Sequence, residues 1–269
     1  MKQQGFSLIE LIIVIVLTGI LASVTTDIIR LPVQSYLDLA RRARLLDNAE
    51  MSIKHLQNDI RHALPNSIRI SGASIEMVNT LDAGRYRAFI DTTEPAPTAL
   101  CAGGLADDTL IFDSNDTCFQ TIGHLQAFNP QSVNGEFLVI YNLNPSDVYS
   151  GSNRSALNNA SQVGTIEFNS KQFPYRGAGH RFFIVDQAIT YTCIANELRR
   201  YQGYDFNLNQ VTVPSLDYDL QAKSVSNCEF IYNPDINSGR GLVTIRLALA
   251  DETGEGMTVV HQVHINNIP

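Results

Sequence analysis

The sequence of 269 residues lacks the short motifs on which most enzyme classes depend. It has no Gly-x-Ser-x-Gly nucleophile turn, no His-Glu-x-x-His zinc motif and no glycine-rich loop of the kind that cradles phosphate. None of its four cysteines lies in a Cys-x-x-Cys pair, which argues against a zinc ribbon and against thioredoxin-like redox chemistry. We therefore expect a protein that is not an enzyme and that uses no metal and no cofactor.

Basic residues are also scarce. The chain has 19 Lys and Arg against 27 Asp and Glu, which gives a formal net charge of −8 and a pI near 5.2. A nucleic-acid-binding protein normally presents a basic face, so no nucleic-acid partner is expected. The one basic cluster, Arg41, Arg42 and Arg44, is typical of a solvated helix face. A contact with lipid phosphates or with an acidic neighbour is the alternative.

Residues that could bind metals are poorly placed for it. His261 and His264 are three apart in a predicted strand, so their side chains point to opposite faces. His55 and His62 lie two turns apart on a predicted helix, which is typical of solvated or capping histidines. The stretch 113–116 begins like a calcium loop but lacks the required Gly and distal Glu, so we predict a turn there.

The sequence does contain a long apolar run near the N-terminus. From Phe6 to Val24 it carries one charge, Glu10, and as a helix it would extend roughly 28 Å. A bilayer core is about 30 Å thick. An ordinary secretory signal places its charge before the apolar region, whereas here a carboxylate lies inside it. If the Gly5–Phe6 bond were cut, the new amine would lie one turn from Glu10 and would match its charge.

Helical periodicity continues beyond this run. Pro32 is expected to bend or loosen the helix, and Pro65 is expected to end it. We therefore predict a hydrophobic transmembrane or filament-core helix over 6–30 and an amphipathic helix over 31–65. Apolar residues recur every three or four positions along one stripe: Leu39, Ala43, Leu46, Ala49, Ile53, Leu56, Ile60 and Ala63.

After Pro65 the apolar pattern changes to a period of two, which indicates strands. Asn142–Gln162 is rich in Asn, Ser and Gly and is predicted to be a surface loop. Short connections favour antiparallel pairing, so the fold class is α+β: the long helix packed on a mainly antiparallel sheet, with a β-rich domain over 66–269 and a possible sub-boundary near 175. The strands are expected around 68–70, 75–77, 85–90, 136–141, 180–185, 188–193, 198–201, 225–232, 242–250 and 257–265.

The four cysteines, Cys101, Cys118, Cys193 and Cys228, all lie beyond the apolar run. An even number of cysteines in an exported domain indicates disulfides, and four cysteines allow three pairings. We favour Cys101–Cys118 and Cys193–Cys228, because each pair closes a local loop.

The residues Gly5-Phe6-Ser7-Leu8-Ile9-Glu10 closely resemble the type IV prepilin signature. This resemblance implies that residues 1–5 are a leader peptide, which prepilin peptidase removes after Gly5. It also implies that the amine of Phe6 is methylated and that Glu10 directs assembly. The alternative is an uncleaved signal anchor that happens to contain a Glu.

Weaker resemblances cover much of the remaining chain. The long helix with 68–89, 190–193 and 198–200 resembles the J-type minor pilins and pseudopilins, and 225–230, 241–243 and 263–269 are similar to the O-type minor pilins of the mannose-sensitive haemagglutinin (MSHA) pilus. Pro32 departs from the pattern, since family helices often have a breaker within the apolar segment.

These resemblances imply a type IV pilin-like fold and a minor pilin that acts in pilus biogenesis, within an assembly-priming tip complex. The implied partners are other major and minor pilins, prepilin peptidase, the inner-membrane assembly platform and the inner membrane itself. The implied location is a single-pass inner-membrane protein with a periplasmic domain, which reaches the cell surface in the pilus. The alternatives are a J-type pseudopilin of type II secretion and a tip-located glycan-binding adhesin.

Overall fold

The computed structural model of the protein describes residues 7–89, 101, 109–234, 239–252 and 254–269. These residues form two compact units, Met1–Asp47 and Asn48–Pro269, which are described separately. In chain order the elements are α1 (Leu8–Arg61), β1 (Arg69–Ser71), β2 (Ser74–Tyr86), β3 (Asp116–Ile122), β4 (Phe137–Ile140), α2 (Pro145–Ser150), β5 (Arg154–Asn158), β6 (Thr165–Lys171), β7 (Arg181–Ile194), β8 (Glu197–Tyr204), β9 (Asp219–Lys223), β10 (Val225–Asn233), β11 (Arg240–Ala250) and β12 (Gly256–Asn266).

The helix α1 ends earlier than the sequence predicts. Its last residue is Arg61, four positions before Pro65. The imidazole of His62 bonds to the carbonyl of Asn58 at 2.9 Å, which caps the helix end. The N–H of Leu64 then donates to the carbonyl of Val78 at 2.8 Å, so the chain has joined the sheet before it reaches Pro65. Pro32 lies inside α1, and the helix continues through it.

The predicted apolar stripe is confirmed over its second half. Ala49, Ile53, Leu56 and Ile60 are buried, so the end of α1 packs its apolar face against the domain that follows. Leu39 and Leu46, by contrast, are exposed. Periodicity alone does not show where along a helix the contact with a globular core begins.

Within the described residues, the main sheet has nine strands, all paired antiparallel, in the order β1-β2-β3-β6-β5-β4-β7-β8-β9. The long strands β2 and β7 also pair with each other. This extra ladder closes the six strands from β2 to β7 into a ring, which surrounds an aromatic core. Buried in that core are Tyr86, Leu110, Phe119, Phe128, Leu138, Ile140, Leu157, Ile166, Phe168, Phe173, Phe182 and Ile184.

A second antiparallel sheet consists of β10, β11 and β12 in that order. The α+β class with a helix on a large antiparallel sheet is therefore confirmed. The predicted hairpins are present as well. Ile70 pairs with Ile75 across the β1–β2 turn, and Ala195 and Asn196 turn β7 into β8 with positive φ values of 52° and 60°, as a tight two-residue hairpin requires.

The prediction of a surface loop over Asn142–Gln162 is wrong. This stretch contains α2 and β5, and its amides serve internal hydrogen bonds. Asn142 is buried and donates to the carbonyl of Pro65 at 2.8 Å, while Asn153 donates to the side chain of Asn142 at 3.0 Å. A polar composition favours loops only when the polar groups face water, and here the side-chain NH2 groups of both buried amides donate to partners inside the fold.

The sequence analysis places a possible boundary between two sub-regions near residue 175, close to Phe173. Phe173 is buried in the same core as Phe168 of β6 and Phe182 of β7, which lie before and after it in the chain. The second compact unit runs from Asn48 to Pro269 and includes the last turns of α1. The predicted domain over 66–269 and its sub-boundary stay predictions.

Candidate assembly site

The first turn of α1 positions Glu10. The carbonyl of Ser7 accepts from the N–H of Glu10 at 3.1 Å and from that of Leu11 at 3.3 Å, and the hydroxyl of Ser7 also accepts from the N–H of Glu10 at 3.3 Å. Ser7 is therefore the N-cap, and Glu10 is the third helical residue, where a negative charge interacts favourably with the helix dipole. Our sequence analysis missed this role, although the Ser-x-x-Glu spacing of a capping box is visible in the sequence.

The helix that follows exposes apolar side chains on every side. All large apolar side chains from Leu8 to Leu21 are exposed, with fractions between 47% for Ile12 and 77% for Leu8. Exposed apolar surface of this extent marks a site that contacts other apolar groups, such as lipid chains or neighbouring helices.

The few hydroxyl groups of this segment bond within the helix. Thr18 donates to the carbonyls of Val14 at 2.7 Å and of Ile15 at 3.1 Å, Ser23 donates to the carbonyl of Ile20 at 2.9 Å, and Thr25 donates to that of Leu21. A polar group that is bonded internally costs much less in an apolar environment than an unpaired one. The segment is therefore suited to apolar surroundings despite its hydroxyls.

Among the helices of the described residues, none combines the length and the mean hydropathy of a candidate membrane span. The membrane span over 6–30 stays a prediction.

Gly5 and Phe6 lie outside the described residues, so cleavage between them and methylation of Phe6 also stay predictions. Of the basic cluster, Arg41 is exposed and lies 3.6 Å from Asp38 one turn earlier, as expected for a solvated helix face.

In the second unit, the last turns of α1 dock through polar contacts as well as apolar ones. Ser52 donates to the carbonyl of Gln221 in β9 at 2.6 Å. Asp59 accepts from the hydroxyl of Tyr191 in β7 and from the guanidinium of Arg200 in β8, both at 2.7 Å. Burial, reinforced by the charge of Asp59, raises the pKa of Tyr191 far above its ordinary value, so the phenol remains a donor to this carboxylate.

The four cysteines form two disulfides, Cys101–Cys118 and Cys193–Cys228. These are the local pairs that the sequence analysis favours. The second bond joins β7 of the nine-stranded sheet to β10 of the three-stranded sheet, so it ties the two sheets together.

The residues that the sequence analysis considered as metal ligands have structural contacts or lie exposed. His261 faces the amide of Gln57 at 3.1 Å, whereas His264 is exposed on the other face of β12. Asp116 accepts from the N–H of Ile111 at 2.8 Å and organises a turn. Within the part of the chain that is described, no three His, Cys, Asp or Glu side chains are grouped so that they could hold a metal ion.

Comparison with known families gives one match. Residues 1–26 match the model of the prokaryotic N-terminal methylation motif, and this range includes Gly5, Phe6 and Glu10. No curated protein and no solved structure matches the chain. The motif is that of prokaryotic type IV prepilin-like proteins, and it implies a membrane-anchored precursor that prepilin peptidase processes and that assembles with other pilins. The match thus suggests a pilin or a pseudopilin.

Proposed function

We propose that this chain is a minor pilin of a type IV pilus of the MSHA type, and that its role is structural rather than catalytic. It acts in pilus biogenesis, in an assembly-priming complex at the tip. Before assembly, the helix over residues 6–30 holds it in the bacterial inner membrane, with the β-rich domain in the periplasm. Its partners are other major and minor pilins, prepilin peptidase and the assembly platform.

One observation carries this proposal: the methylation motif over residues 1–26 includes the start of a helix whose large apolar side chains from Leu8 to Leu21 are all exposed. Such a helix needs lipid around it before assembly and neighbouring helices around it afterwards. A pilin helix has both, because it lies first in the membrane and then in the helix bundle of the filament. The two disulfides support export, because disulfides persist in oxidising compartments such as the bacterial periplasm.

The test is deletion of the gene followed by complementation. We expect the deletion strain to make few or no surface pili, and the complemented strain to regain them with a few copies of this chain in the sheared pilus fraction. Deletion of the major pilin is the matched control, since it removes pili without removing this chain from the membrane.

A second candidate is a J-type pseudopilin, which the same motif fits equally well. It predicts that deletion leaves pilus number unchanged and abolishes secretion of proteins through a type II system. Normal pili, with this chain absent from the sheared fraction, would contradict the minor-pilin proposal.

A further inference from the structure

The two sheets end in four edge strands: β1, β9, β10 and β12. An open edge exposes unpaired backbone N–H and C=O groups, and natural proteins protect such edges with short strands, charges, prolines, bulges or covering segments. Here β1 is only three residues long. β9 contains Asp219 and Lys223, and its carbonyl of Gln221 is bonded to Ser52 of α1. β10 has a register shift after Val225 and is tied to β7 by a disulfide.

Among the residues that the structure describes, none gives β12 such a protection. It is eleven residues long, contains no Asp, Glu, Lys, Arg or Pro, and pairs with β11 residue by residue without a register shift. Within the described residues, β11 is its only strand partner. The opposite edge of β12 is therefore long, regular and uncharged.

Hydrogen bonds at both ends of the β11–β12 hairpin show which backbone groups point outward. Asn267 donates to the carbonyl of Gly239 at 2.8 Å, and Asp251 donates to that of Glu255 at 2.9 Å. Both pairs join odd-numbered residues, and bonded pairs alternate along an antiparallel ladder, so the odd-numbered residues of β12 bond to β11.

The even-numbered residues consequently turn their N–H and C=O groups away from β11. Between the two ends of the strand these residues are Thr258, Val260, Gln262 and His264, and their side chains are all exposed, Val260 by 54%. No described residue bonds to their backbone groups. The edge thus offers alternate donors and acceptors that fit another β-strand.

We propose that β12 pairs antiparallel with β12 of a second copy of this chain. Because the strand contains no Asp, Glu, Lys or Arg, the pairing sets no two of these charged side chains opposite each other. In the register of full overlap, Gly256 faces Asn266 of the other copy, which places Val260 opposite Gln262 and Val259 opposite Val263. A twofold contact of this kind uses both open edges and leaves neither free for a third copy.

Sedimentation equilibrium of the full chain in detergent micelles tests this β12–β12 dimer, which goes beyond the proposed function. We expect a monomer–dimer equilibrium for the wild type. Val260→Pro removes an outward N–H without touching the β11–β12 ladder, and an edge position with its N–H toward solvent tolerates proline. It should raise the dimer dissociation constant by about tenfold or more. Val260→Thr, which keeps the N–H and the β-branched shape, should dimerise like the wild type.

Hydrogen exchange resolved to single amides gives a second readout on the wild type, which decides the question if Val260→Pro does not fold. We expect the amides of Thr258, Val260, Gln262 and His264 to become protected as protein concentration rises, while the odd-numbered amides of β12 are protected throughout. A dimer that persists in folded Val260→Pro, a dimer whose even-numbered amides stay unprotected, or a wild type that is monomeric at all concentrations would each overturn the proposal.

Discussion

Asp82 shows how a single carboxylate can organise a loop that the sequence leaves undefined. Its Oδ2 accepts from the backbone N–H groups of Gln126, Ala127 and Phe128 at 2.8, 2.7 and 3.1 Å, and its Oδ1 accepts from that of Ala83 at 2.8 Å. Burial raises the pKa of Asp82, but these backbone hydrogen bonds outweigh it and lower the pKa below its ordinary value.

We predict that Asp82→Asn lowers the free energy of unfolding at pH 7 by about 1–2 kcal/mol, since hydrogen bonds to a charged acceptor are replaced by weaker ones at a partly exposed site. A lowered native pKa means that the carboxylate stabilises the fold above its unfolded pKa, and that this contribution is lost as pH falls through the native pKa. Urea titrations at pH 7 and pH 3 should therefore differ less in the variant than in the wild type. The control is Asp217→Asn at an exposed position, and an equal effect of both variants would contradict the prediction.

Glu10 belongs to the first unit, whereas the buried cores lie in the second, so we predict that Glu10→Ala affects assembly and not folding. In a bundle of pilin helices it would leave the amine of Phe6 without its partner, which weakens docking by about 3–5 kcal/mol. Membrane level and leader cleavage, followed by immunoblotting, should be unchanged, while incorporation into sheared pili should be lost. Glu10→Gln keeps the size of the side chain and should resemble Ala if the charge is what matters. Normal incorporation of Glu10→Ala would show that this residue is not an assembly determinant.

Among the secondary-structure elements, the sequence predicts the pairing of strands that follow each other closely in the chain. The β1–β2, β7–β8 and β11–β12 hairpins follow from alternating residues around short turns, and each is present. The ring of six strands could not be predicted, because it depends on pairings such as Ile75 with Tyr191, which are distant in the chain. β3 and β6 were not predicted, because polar residues interrupt their alternation. Each is held in the sheet by two neighbouring strands: β3 by β2 and β6, and β6 by β3 and β5.

In the candidate site, too, the features that a local pattern shows could be predicted, and those that depend on distant contacts could not. Glu10 and the apolar run are visible as a local pattern, and so is the spacing that makes Ser7 the cap. The contact of Asp59 with Tyr191 and Arg200 was not visible, since three separate elements contribute to it.

The Cys193–Cys228 disulfide should contribute more to stability than Cys101–Cys118. It closes 35 residues rather than 17, and a longer loop loses more entropy in the unfolded chain when it is closed. Replacing both cysteines of the longer loop by Ala should lower the free energy of unfolding by about 4 kcal/mol, and the same change in the shorter loop by about 3 kcal/mol. Urea denaturation of the two double variants measures the difference. A larger loss from the shorter loop would show that the chain-entropy argument does not hold here.

The whole molecule combines two units whose surfaces suit different surroundings. The first unit exposes its large apolar side chains over Leu8–Leu21, and the hydroxyls of Thr18, Ser23 and Thr25 bond within the helix. Within the described residues, the second unit buries one core rich in aromatic side chains and another that is mainly aliphatic, and it carries both disulfides. Under the proposed function, the bacterial inner membrane would surround the first unit before assembly, and the oxidising periplasm would hold the second.

The proposed change from membrane precursor to filament subunit would depend on the N-terminus, and the last prediction concerns it. If the Gly5–Phe6 bond is the cleavage site, intact-mass analysis of the purified protein should show residues 6–269 carrying one additional methyl group. Gly5→Val should block cleavage, because a peptidase must approach the backbone closely and a branched side chain obstructs it. Gln4→Val, one position earlier, places the same side chain beside the bond without replacing the glycine, and it should be cleaved normally. A mature N-terminus at Met1 in the wild type, or one created by a cut after Ala22, would rule out prepilin processing and with it the charge pairing proposed for Glu10.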